Sequence, residues 1–125
     1  VPALDRLQGL RVVADPAALD AANWHGPSEV TVLRLAPDDA FAIGATEVEI
    51  DDEHAIVESE AGFVGAWLPV EDVAHHIEWS LPAERPTLAQ GAVAQVPARV
   101  WLPDDGDALL VTAAAYADEL ASRLR

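Results

Sequence analysis

The side chains of this chain best suited to hold a metal or move a proton near neutral pH are its four histidines and 22 carboxylates, and one segment brings both types together. In Glu71-Asp72-Val73-Ala74-His75-His76, a helix would make Glu71 and His75, and likewise Asp72 and His76, neighbours at i, i+4, the spacing at which two side chains can chelate a divalent ion. Glu71, His75 and His76 are thus the candidate metal ligands, but one such pair supplies only two, and a catalytic metal needs a third protein ligand and an open position, which His25 or His54 would have to bring from distant sequence. The alternative is a solvated polar face on which carboxylates pair with imidazoles.

Other chemistries find fewer supports. Asp104-Asp105-Gly106-Asp107 resembles the start of a calcium loop, but Ala108, Leu109 and Leu110 follow where oxygen ligands would be required, so a hairpin turn is the better reading. Ser28, Ser59, Ser80 and Ser122 lack the strand-turn-helix glycine setting of an elbow nucleophile. There is no glycine-rich phosphate loop, and Gly62-Phe63-Val64-Gly65 joins bulky apolar residues. The chain has no Cys and no Lys, which removes disulfides, thiolate metal sites and thiol or Schiff-base catalysis. No catalytic residue and no cofactor is therefore assigned.

Four tryptophans against two Phe and one Tyr are more suggestive, because Trp concentrates both in cores and at interface hot spots. Trp67 and Trp101 fall inside predicted strands and are expected in the core. Trp24, beside His25 in a loop, and Trp79, just before a proline-rich connector, are the candidates for contact with a ligand or partner.

The formal charge of −15 repels phosphate backbones and anionic lipid, so neither nucleic acid nor membrane is an expected partner. Coding bias toward Ala, Val, Asp and Arg is a simpler account of such acidity than a functional acidic face. No run approaches the ~18 apolar residues of a membrane helix, and the start lacks a basic, then apolar, signal segment. A cytoplasmic location is expected; the start at Val1 rather than Met leaves room for a removed leader.

The length and the 51% hydrophobic content allow a single domain over residues 1–125 with one core. Its expected elements begin with an apolar run, Leu10 to Ala14, and a short helix opened by Asp15-Pro16. Strands follow over Glu29–Leu35, Ala40–Ile43 and Thr46–Ile50, with a bend at Gly44. After Asp51-Asp52-Glu53-His54 come Ala55–Glu58 and Phe63–Leu68 as separate strands, then a helix with Val70, Val73, Ala74 and Ile77 on one face. Pro82 and Pro86 stiffen the connector. Val93 to Leu102 is expected to be extended and interrupted near Pro97. A turn at 103–107 then returns the chain into Ala108–Thr112, with Thr112 capping a final helix striped by Tyr116, Leu120 and Leu124. This is an α+β fold: a mostly antiparallel sheet with helices packed on one face, ending in a β-hairpin and a C-terminal helix.

From Ala55 onward, this order resembles the folate-binding-like module of glycine-cleavage T proteins, their iron–sulfur accessory relatives and the gamma subunit of heterotetrameric sarcosine oxidase. The likeness is carried by residues 88–102, by Ala108-Leu109-Leu110-Val111-Thr112 and by Ala115-Tyr116-Ala117-Asp118-Glu119-Leu120. Residues 32–41, with Pro37-Asp38-Asp39, resemble a strand turn of the gamma subunits. A chain without Lys or Cys cannot hold the Lys-Gly-Cys-Tyr type motif of the accessory relatives, so the resemblance implies the noncatalytic gamma type, a small accessory subunit beside a larger flavoenzyme. The leading expectation is thus a noncatalytic accessory or interaction domain with a protein partner, self-association remaining open. The rivals are a metal site on Glu71, His75 and His76, or a pocket for a pterin-like molecule.

Overall fold

A computed structural model describes residues 3–124 and is dominated by antiparallel sheet, with 48% of residues in strands and 16% in helices. The helical share is smaller than the α+β expectation because all three α-helices are short, α1 (Pro16–Asp20), α2 (Val70–Ala74) and α3 (Ala117–Arg123). No helix among the described residues is long and apolar enough to cross a membrane. The chain divides into two compact units, one covering Leu7–Ala61 and the other Gly62 onward together with the residues up to Arg6.

In the unit covering Leu7–Ala61, β4 (Asp39–Ile43) lies between β3 (Thr31–Ala36) and β1 (Asp5–Val13), both antiparallel to it. β2 (Asn23–His25) and β5 (Glu47–Glu49) form a separate two-stranded ribbon. Val12, Ala14, Leu19 and Ala40 form a buried cluster, on which Leu10, Trp24 and Val48 pack. Pro16 opens α1 as expected, but the Asp15 side chain makes no cap; instead the Asp15 backbone N–H donates to Asp52 Oδ2 at 2.8 Å. Gly44 takes φ 87°, the left-handed region a bend needs.

The second unit is built on the part of β6 (Ile56–Leu68) from Gly62 onward, β9 (Ala108–Ala113), β8 (Val96–Leu102) and β7 (Thr87–Val93), adjacent in that order and antiparallel throughout. β6 is a single strand of 13 residues, where the sequence suggests two, Ala55–Glu58 and Phe63–Leu68. Register places Ala66, Leu110, Val100 and Ala89 in one cross-strand row. That face carries the core, which Val73 of α2 and Leu120 and Leu124 of α3 complete.

Strand parity overturns the expectation for Trp67. Val64, Ala66 and Leu68 are the buried set on β6, so Trp67 faces the opposite way and is 50% exposed, opposite Leu109. Trp101, also opposite Leu109, is half-buried. In the final segment, a 3₁₀ turn (Ala114–Tyr116) precedes α3, leaving Tyr116 exposed and only Leu120 and Leu124 of its stripe buried. Thr112 caps nothing: it lies on β9, and its hydroxyl donates to the Pro97 carbonyl at 2.7 Å.

Candidate functional site

The site is assembled where the ends of α2, α3 and the β7–β8 hairpin meet, and the hairpin itself is unusual. Val93 pairs with Val96, so a two-residue turn, Ala94-Gln95, reverses the chain. Both residues have positive φ, 49° and 68°, the signature of a type I′ turn that normally recruits Asn and Gly. Side chains with a Cβ pay for this backbone region with local strain. Here tertiary contacts hold the turn: the Ala94 N–H donates to the His76 carbonyl at 2.6 Å, and Arg123 Nη1 donates to the Ala94 carbonyl at 2.9 Å. Arg123 also reaches Gln95 Oε1 at 3.4 Å and pairs with Glu119, one helical turn back, at 2.8 Å.

Trp79 forms a second wall. Its indole Nε1–H donates to the Ala92 carbonyl at 2.8 Å, and the ring lies so close to β7 that a Cβ on Gly91 would stand 2.6 Å from Trp79 Cε2. Gly91 is what lets the indole settle on the strand. Between these walls is a cleft of about 560 Å³, lined also by His75, His76, Ile77 and Glu78. Its lining contains no Ser, Thr, Cys, Lys or Tyr.

Of the residues singled out from sequence, Trp79, His75 and His76 come together here, while Glu71 is not part of the lining. α2 ends at Ala74, so His75 caps it and His76 lies beyond it. The i, i+4 contacts that form are to backbone: His75 N–H donates to the Glu71 carbonyl, and His76 Nδ1–H donates to the Asp72 carbonyl at 2.9 Å. Because a carbonyl only accepts, that bond fixes the proton on Nδ1. Among the described residues, no three His, Cys, Asp or Glu side chains gather to hold a metal ion.

Trp24 and His25 lie elsewhere, on β2. Trp24 is half-buried against its own unit's core, and exposed His25 places Nε2 3.1 Å from Glu49 Oε1 across the ribbon. Sequence reasoning missed Arg123 and Gln95 in the cleft, and Gly91 against the Trp79 ring. Gly91 inside an apolar strand was the available signal, since such a glycine marks a close approach; the turn carried none, as Ala-Gln is not a turn dipeptide.

A second polar cluster escaped the sequence altogether. Arg11 Nε and Nη2 bind the two oxygens of Asp39 at 2.6 and 2.7 Å, and Nη1 reaches Glu60 at 3.1 Å. The bond to Asp39 holds the Arg11 pKa above its ordinary value, against partial burial acting the other way. The Arg11–Asp39 contact is a fork-to-fork pair, in which two parallel N–H groups meet the two carboxylate oxygens.

No protein-family model, curated protein or solved structure matches the chain.

Proposed function

We propose that this chain is a noncatalytic binding domain that engages a protein partner at the Trp79 cleft. The observation that carries the reading is how the cleft spends its polar groups. The Trp79 N–H, His76 Nδ1–H and Arg123 Nη1 all bind backbone carbonyls, those of Ala92, Asp72 and Ala94, and the last of these bonds, together with the one from Ala94 N–H to the His76 carbonyl, holds a strained turn in place. Strain retained at a rigid, concave, half-apolar surface suits recognition, where pre-organisation reduces the ordering cost of binding. The resemblance to gamma-type accessory modules points the same way, toward a subunit beside a larger flavoenzyme.

The test is a photo-crosslinking side chain placed at Gln95 in the native host, with the same group at Asp105 on the other hairpin turn as control. A discrete product from position 95 and none from 105 supports the reading. No product from either position, from a protein that purifies as an inert monomer, counts decisively against it.

A further inference from the structure

The cleft's charge and shape narrow the kind of group that would enter it. Glu78 lines the cleft, is exposed, and has no hydrogen bond or ion pair among the described residues. Beside it, Trp79 has one side pressed on the Gly91 backbone and is only half-buried, so the cleft meets the rest of the indole. The one arginine in the lining, Arg123, is matched by Glu119 at 2.8 Å and tied to the Ala94 carbonyl. What the cleft offers is an aromatic surface and a free carboxylate, on a chain of net charge −15.

Resting on the interaction reading above, we propose that the cleft receives an arginine side chain from a basic segment of the partner. A guanidinium is planar and weakly hydrated, so it can lie against an indole while its N–H fork pairs with a carboxylate; an ammonium does the second but not the first as well. Glu78 supplies the carboxylate and Trp79 the ring. The acidic chain as a whole would draw such a segment in at long range.

Tetra-arginine, tetra-lysine and tetra-citrulline peptides, titrated into the full chain at low salt and followed by the indole N–H resonance of Trp79, test this directly. Citrulline keeps the shape of arginine and removes its charge. Tetra-arginine should shift the Trp79 resonance and bind more tightly than tetra-lysine, with citrulline inert. Glu78→Gln should weaken arginine binding about threefold to fivefold, the scale of one exposed ion pair, while Glu47→Gln on β5, with the same change in net charge, should have almost no effect. Equal losses in the two variants, an unmoved Trp79 resonance, or citrulline binding as well as arginine would each overturn the proposal. If position 95 crosslinks a partner while these titrations fail, the arginine assignment alone falls. Failure of the crosslink removes the interaction reading beneath it.

Discussion

Two hairpin turns on the same β8 strand reach similar ends by opposite means. The turn between β8 and β9 contains Gly106 at φ 92°, and a Cβ added there would meet nothing within 4 Å. Its conformation is a matter of local chemistry: glycine adopts the left-handed region without cost, and aspartates surround it. The turn between β7 and β8 uses Ala94 and Gln95 in that same region and is held by His76 and Arg123 from outside the hairpin. A turn that needs outside support is also one whose support shapes a cleft. The difference separates a turn fixed by its own residues from one fixed by the surrounding fold.

The most disruptive way to break the comparison is Gly91→Ala. The new methyl would fall 2.6 Å from the Trp79 ring, and the expected loss is about 2 kcal/mol in denaturant unfolding, the usual scale of overpacking, together with loss of any partner contact at position 95. Arg123→Ala removes the clamp on Ala94 and should cost about 1 kcal/mol, since the bond involves a charged donor on an exposed side chain. Replacing the turn itself with Ala94→Asn and Gln95→Gly should act in the opposite direction, raising stability by about 1 kcal/mol. A double variant with Arg123→Ala would then show a smaller clamp effect; equal clamp effects in both backgrounds would mean that Arg123 does not act through the turn.

Gly106→Ala is a control for pure backbone strain, with an expected cost of about 1 kcal/mol and no effect on binding at the cleft. The smallest effect belongs to the loop before β6, which is clamped by a side chain. Asp52 accepts the backbone N–H groups of Asp15 at 2.8 Å and His54 at 2.9 Å, and these bonds hold its pKa below the ordinary aspartate range. Its contribution is therefore complete at neutral pH, declines as pH falls below the ordinary aspartate value and is gone below the lowered one. Asp52→Asn should differ from the parent in thermal unfolding at pH 7 and converge with it at strongly acidic pH; a constant difference would mean that the carboxylate charge is irrelevant.

Much of the fold was legible because local rules agreed with one another. Asp15-Pro16 starts α1, Pro37-Asp38 turns β3 into β4, Gly44 bends, and 103–107 reverses β8 into β9, each where the sequence places a residue suited to that backbone. The misses share a physical cause. Proline was expected to interrupt the extended run near Pro97, yet Pro97 lies inside β8, paired with Ala92, and its carbonyl is satisfied by Thr112 from β9. Trp67 was assigned to the core on residue type, whereas strand parity turns it outward. The helix expected to make Glu71 and His75, and likewise Asp72 and His76, neighbours at i, i+4 stops at Ala74, before either histidine.

Composition alone determined that thiol, Schiff-base and phosphate-loop chemistry have no residues to use here, because no arrangement in space can supply Cys, Lys or a glycine-rich loop that the chain lacks. Only the tertiary structure decided that Trp79, His75 and His76 share a cleft with Gln95 and Arg123, which are 16 and 44 residues beyond Trp79 in sequence. It also decided that an Ala-Gln pair forms a type I′ turn. Local preference disfavours that geometry, and the hydrogen bonds that compensate come from residues which only the folded chain brings within reach.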